Sequence, residues 1–255
     1  MPRLADTSAW DARYRTRGAL WGYFPAVSAE ETWWRLRETG ARRVLVVGCG
    51  YGRHVAYFAR RGFDTTGLDA SRAAIDMAHE TAREDGLDLV LTCASATKMP
   101  FPTASFDAVY DHALLHHLSA DDRALAVTEY GRVLKPGGLL VISALSTEED
   151  AFEAAMAELV ETPETAQAVG EHDAPTGYFD EFFDSSELGD LLADFDVESV
   201  LDLTEADEAS PRGRRRFVRA IARRQGEAKL ASRRRDPWGA QRKRYRERMR
   251  EKDSA

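Results

Sequence analysis

The apolar positions of this chain fall into short runs separated by helical patterns, the rhythm of an alternating α/β fold. Val44-Leu45-Val46-Val47 is the first run and passes straight into Gly48-Cys49-Gly50-Tyr51-Gly52. A helical pattern follows, and a second short strand ends in Asp69. Leu89 to Cys93 predicts a third strand and Ser105 to Asp111 a fourth. Asp121 and Asp122 open a helix that runs to Leu134 and stops at Lys135-Pro136-Gly137-Gly138, because proline and paired glycines end helices. Leu139 to Ala144 is the expected fifth strand. Thr147 to Glu161 is an alanine-rich helical stretch, followed by a loop from Thr162 to Phe179. Ser185 is the expected cap of a helix reaching Phe195, and Val197 to Leu203 the sixth strand. Phe217 to Ala222 alternates as an edge strand would. Before the first strand, an aromatic segment (Trp10, Tyr14, Trp21, Tyr23, Phe24) precedes a helix expected over Ala29 to Glu38.

Strand, glycine turn, helix and strand make a βαβ unit suited to a nucleoside. Glycines let backbone approach a ligand with no Cβ in the way, and a carboxylate at Asp69 is placed to accept both hydroxyls of a ribose. The glycines stand at 48, 50 and 52, and Arg53 occupies the place where a dinucleotide fingerprint has its third glycine. Taken alone, the loop leaves a nicotinamide cofactor, a methyl donor and an ordinary turn open.

The order Met99-Pro100-Phe101, Ser105-Phe106-Asp107, Leu115-His116-His117 and Arg132-Val133-Leu134-Lys135-Pro136-Gly137-Gly138 resembles the small-molecule branch of the class I S-adenosylmethionine-dependent methyltransferases. The likeness spans roughly residues 40 to 146 and is looser to about 223. It implies a doubly wound, seven-stranded, mostly parallel sheet with helices on both faces and an antiparallel seventh strand. It also implies S-adenosylmethionine as cofactor, cradled by Gly48, Cys49, Gly50 and Gly52, with Asp69 and Ala70 at the ribose. Ser95 and Ala96 then take the adenine corner, where the family often has an aspartate. Val46 replaces an acidic residue found in many relatives, and Asp111 is the candidate to compensate. His116 and His117 are the candidate bases, since histidine titrates near neutrality. Tyr14, His172 and Tyr178 are candidates for the acceptor pocket. His54, expected to face out of the first helical turn, reads as structural or as a donor contact. The resemblance divides the chain into an N-terminal lid segment (1–40), a methyltransferase domain (41–223) whose residues 147–183 form a substrate lid, and a basic tail (224–255).

Composition narrows the setting. The 255 residues are 44% hydrophobic, enough for a full core, with no stretch near the roughly 20 apolar residues of a membrane span. The first residues lack an apolar signal region, and Cys49 and Cys93 stand outside any disulfide framework, so a cytoplasmic protein with reduced thiols is expected. No Cys/His set has zinc spacing, and no metal site is expected. The net charge of −8 hides an asymmetry: Arg212 to Ala255 hold 18 Lys and Arg against 5 Asp and Glu. That tail, with Trp238 and Tyr245 interleaved, keeps an RNA methyltransferase as an alternative to one acting on a small molecule. Neither the Asn/Asp-Pro-Pro-Tyr/Phe signature of base amino-methylation nor a Pro-Cys nucleophile is present. Val46 and Ser95 also leave room for a non-catalytic cofactor-binding module. The glycine register and Lys-Pro-Gly-Gly disfavour a nicotinamide oxidoreductase. A monomer or a homodimer fits the chain, and no membrane partner is expected.

Overall fold

The computed structural model describes residues 7–148, 182–206 and 214–226. Seven strands form one sheet: β1 (Arg43–Val47), β2 (Asp64–Asp69), β3 (Val90–Cys93), β4 (Phe106–His112), β5 (Leu134–Leu145), β6 (Phe195–Ala206) and β7 (Arg214–Arg224). Their order is β3-β2-β1-β4-β5-β7-β6. β1 to β5 pair in parallel, and β7 runs antiparallel to both neighbours. The expected doubly wound sheet is therefore present, with its switch of direction between β1 and β4.

One correction concerns β7, which is interior; the edge falls to β6. Alternation was the wrong guide, because both faces of β7 are covered: Val218, Ala220 and Ala222 pack on one side and Ile221 on the other. A second concerns β5, which starts at Leu134. Phe106 pairs with Leu134 and Ala108 with Leu139, so Lys135 to Gly138 loop out as an irregularity within the strand.

Helices α2 (Val27–Arg37), α3 (Arg53–Ala59) and α4 (Arg72–Glu84) cover one face, and α5 (Ala120–Val133) and α6 (Ser185–Leu191) the other. Caps set several of these starts. Ser71 Oγ accepts from Ala74 N–H on α4, and Ser119 Oγ accepts from Asp122 N–H on α5. The cap of α6 is Asp184 rather than Ser185: its carboxylate accepts from Glu187 N–H while the Glu187 side chain accepts from Asp184 N–H. α6 also stops at Leu191, well before Phe195, which opens β6. Gly67 in mid-β2 lets α3 close on the sheet. A Cβ there would lie 2.9 Å from Val55 Cγ2 and 2.8 Å from Leu91 Cδ2.

The motifs behind the family resemblance tie the fold together. Lys135 Nζ donates to Asp107 Oδ1 at 2.7 Å, and Asp107 Oδ2 accepts from the N–H groups of Arg42 and Arg43 at the start of β1. Glu129 accepts from Met99 N–H, while Arg132 donates to the carbonyls of Met99 and Phe101. These polar joints bind three segments that are distant in sequence.

An eleven-residue helix that the sequence pattern did not predict, α1 (Thr7–Arg17), precedes α2. Apart from residues 147 and 148, the helical stretch expected over 147–161 and the loop expected over 162–179 lie outside the described residues, as does the tail beyond 226. No described helix is long and apolar enough to cross a membrane.

Candidate functional site

The glycine loop leaves β1 with left-handed backbone at Gly48 (φ 62°), Gly50 (φ 54°) and Gly52 (φ 90°). A side chain at any of them would be strained. Space forbids it too: a Cβ on Gly50 would lie 2.9 Å from Tyr14 Oη, and one on Gly48 2.9 Å from Leu114 Cβ. The loop is thus pressed between α1 and the segment after β4. Gly52 then starts α3, its carbonyl accepting from Ala56 N–H.

Asp69 ends β2 beside this loop. Its Oδ2 accepts from Gly50 N–H and its Oδ1 from Ser71 N–H, both at 2.8 Å. A carboxylate has about four lone-pair sites, so acceptor capacity remains, and the residue is only partly buried. Desolvation pushes its pKa up against the pull of the Ser71, Gly50 and Ala70 N–H groups. Ala70 is partly exposed next to it. Ser95 Oγ lies 2.8 Å from Thr97 Oγ1 and accepts from Thr97 N–H, closing a turn after β3 in which Ala96 is buried. Cys49 is a buried free thiol behind the loop, its pKa raised by burial.

Helix α1 lies across the loop. Asp11 Oδ1 accepts from Ser71 Oγ at 2.5 Å and from Ala73 N–H at 3.0 Å, fastening α1 to the start of α4. Tyr14 is 6% exposed against Gly50. Trp10 meets the His117 ring edge-on at 4.7 Å between centroids. Tyr51 Oη donates to Gly22 O and accepts from Trp21 N–H, and Arg53 donates to the carbonyls of Trp21 and Phe24. Within the aromatic segment, Trp10 and Tyr14 dock inward, while Tyr23 and Phe24 remain exposed.

Three residues singled out from sequence lie elsewhere than expected. Asp111 is fully buried on the α5 side of the sheet, accepting from Tyr130 Oη at 2.7 Å and from Leu114 N–H at 3.1 Å. It anchors the turn after β4 instead of reaching the glycine loop, because strand alternation turns residue 111 away from the α3 face. His116 is 2% exposed, with Nδ1 accepting from Leu145 N–H at 3.4 Å, and burial drives its pKa well below the usual histidine value. Only His117 of the pair faces α1. His54 points inward, not outward: it is 5% exposed and its Nε2 accepts from Ala26 N–H. His172 and Tyr178 lie outside the described residues.

Burial raises the pKa of Asp111 from 3.8 to about 7. A carboxyl whose folded-state pKa is raised stabilises the fold below its unfolded pKa and loses that contribution as pH rises through the folded value. Asp111→Asn stays neutral; its Oδ1 can still accept from Leu114 N–H, and its Nδ2 can donate to Tyr130 Oη in place of accepting from it. The expected outcome is a native protein that loses stability on the order of 4 kcal/mol from about pH 4 to about pH 7 through this group. In the variant that slope should be missing. Urea unfolding across this range checks it, and parallel profiles for the two proteins would contradict the assignment.

Sequence reading overlooked His112, the last residue of β4, and Arg123. Ser28 Oγ lies 3.2 Å from His112 Nδ1 and 2.7 Å from Tyr110 Oη. Arg123 is wholly buried on α5 and donates through Nε to Leu115 O, holding the short 3₁₀ turn Leu115–His117 in place. The only signal for His112 was its position at a strand end in an α/β sheet, where ligands bind.

Among known proteins, residues 45–142 match the family described as the methyltransferase domain. Residues 45–142 are thus similar to a methyltransferase domain. The methyltransferase GfsG of Streptomyces halstedii is 31% identical over 143 residues, which are 50% of this chain and 51% of that protein. The O-methyltransferase resE of Aspergillus sclerotiorum is 35% identical over 140 residues, 49% of this chain and 52% of that one. The chain spans about half the length of these curated relatives. A solved structure reported for conversion of a disulfide bond into a thioacetal group during echinomycin biosynthesis superposes with TM-score 0.66 at 25% identity, covering 89% of this chain and 97% of its own. A methyltransferase from Anabaena variabilis shares the fold with TM-score 0.64 at 17% identity over 88% of this chain and 97% of its own. The matched segment runs from within β1 to within β5, while α1 and α2 precede it and α6, β6 and β7 complete the sheet. Among the described residues, no cluster of His, Cys, Asp or Glu is arranged to hold a metal ion.

Proposed function

We propose that the protein transfers a methyl group from S-adenosylmethionine to a small-molecule acceptor. The observation that carries this reading is the pairing of a glycine-rich loop at Gly48 to Gly52 with a partly exposed Asp69 that retains acceptor capacity. These residues suit the donor: the loop offers backbone approach at its methionine end, and Asp69 offers acceptors for two ribose hydroxyls. Ala70 flanks the ribose, Cys49 backs the loop, and Ser95 with Ala96 borders the adenine. When bound, the donor supplies a methyl carbon already activated by its sulfonium, so the chain need only hold the partners aligned and exclude water. Trp10, Tyr14 and His117 stand on the lid side, where exclusion of water is needed. Relatives named as O-methyltransferases support a small-molecule acceptor. We assign residues 1–40 to the lid, 41–223 to the domain with its acceptor-side insertion at 147–183, and 224–255 to a separate tail.

Titration calorimetry with S-adenosylmethionine and S-adenosylhomocysteine tests the donor site. One-to-one binding of both in the micromolar range is expected. Label from the methyl group should then appear in the metabolite fraction of a cell extract rather than in RNA or protein. Absence of binding by either nucleoside would end this reading.

A further inference from the structure

We propose that His112 is the acceptor-side general base, and that the acceptor is a weakly acidic hydroxyl of phenol or enol type. This rests on the donor-binding reading above. His112 lies where β4 ends, two residues before Leu114, whose side chain packs on Gly48. It therefore borders the same crevice as the donor loop, at the carboxyl ends of the strands. Unlike His54 and His116, it is only partly buried.

Its hydrogen-bond chain allows the tautomer that this role needs. Ser28 Oγ sits 3.2 Å from Nδ1, and Tyr110 Oη sits 2.7 Å from that same oxygen. With Nδ1–H donating to Ser28 and Ser28 donating on to Tyr110, Nε2 keeps its lone pair. No described residue bonds Nε2. The ring is held from the sides by His54, 5.2 Å away between centroids, and by Phe217 at 4.9 Å.

The groups that touch or act on this imidazole are Ser28 from α2, Arg53 and His54 from α3, Tyr110 on β4, and Arg215, Phe217 and Arg219 from β7. His112, Ser143 and Arg219 fall in one register row. Glu31 and Glu205 are both paired to Arg219. Burial first, then Arg53, Arg219 and Arg215, hold the His112 pKa well below the ordinary value of 6.5. The ring is consequently neutral at physiological pH. A base this weak matches an acidic hydroxyl better than an alkyl alcohol.

The step balances in atoms and charge. The acceptor oxygen attacks the methyl carbon while its proton passes to His112 Nε2. The carbon–sulfur bond breaks with its electron pair left on sulfur, giving a neutral thioether. One positive charge vanishes at sulfur as one appears on imidazolium, so the crevice keeps its charge; the proton later leaves to water.

The test uses the full chain, radiolabelled S-adenosylmethionine and a series of phenols of graded acidity, with benzyl alcohol and aniline as comparators. Native protein should methylate phenols faster than benzyl alcohol, with a rate limb that falls only well below the ordinary histidine value of 6.5. His112→Asn should lose roughly a hundredfold or more on un-ionised phenols, little on 4-nitrophenolate, and keep its donor affinity within about twofold. Ser28→Ala, a positioning change, should shift the pH limb without altering donor affinity. Nitrogen-15 imidazole spectra of native protein read the tautomer without turnover and should show His112 protonated on Nδ1. The proposal is overturned by an Nε2–H tautomer, by full activity of His112→Asn on un-ionised phenols, or by equal loss on 4-nitrophenolate. It is also overturned by native protein that binds the donor yet methylates aniline and none of the phenols, or none of the series. Native protein that fails to bind the donor at all sinks the parent reading instead.

Discussion

Asp69→Ala is expected to weaken donor binding by about a hundredfold or more while leaving a folded domain. Each hydrogen bond from a ribose hydroxyl to a carboxylate is worth about 1.5 to 3 kcal/mol, and two are removed together. The variant also strands Gly50 N–H and Ser71 N–H, which now donate to Asp69. That costs stability of about 1 to 3 kcal/mol per buried group, but the two core clusters flanking the sheet do not include Asp69. Acidity gives an independent signature. Burial raises this carboxyl, and two hydroxyl donors require its ionised form. Native affinity should therefore be constant above the raised pKa and fall as pH drops through it, while the alanine variant shows no such dependence. Calorimetry across pH, with far-UV circular dichroism for the fold, checks both statements. Unchanged affinity in a folded Asp69→Ala protein would remove the ribose role.

Gly50→Val should abolish measurable donor binding for a different reason. At φ 54° a branched side chain is strained by about 1 to 2 kcal/mol, and its Cβ would stand 2.9 Å from Tyr14 Oη. Tyr14 is buried and cannot swing aside without moving α1, which Asp11 fastens to Ser71 and Ala73. The whole lid must then shift, or the loop must. Adding Tyr14→Ala should recover part of the lost stability by removing the clash, but not the backbone strain. Donor titration and thermal unfolding of the single and double variants measure these separately. Normal donor affinity in Gly50→Val would mean that the nucleoside sits elsewhere.

Much of the fold was legible because its signals are local. The β1 run, the glycine turn and the Ser71 cap each follow from a few adjacent residues. Signals that depend on partners were misleading. β7 alternates like an edge strand, yet its small residues are what allow a helix-covered interior position. Asp184 and Ser185 are both good caps, and only the reciprocal bond with Glu187 selects the aspartate. Asp111 seemed a free carboxylate because nothing near it in sequence announces Tyr130, nineteen residues on. Likewise Leu115-His116-His117 hid a division of labour, since one ring is buried under β5 and the other meets Trp10 from α1.

What the sequence by itself determined is the alternation of strands and helices, the register of the glycines and the family likeness, all carried by neighbours along the chain and by backbone freedom at single positions. Only the tertiary structure decided which polar side chains are spent inside the fold and which face the crevice. That choice depends on burial and on hydrogen-bond partners from distant elements: Tyr130 takes up Asp111, while Ser28 meets His112 at Nδ1.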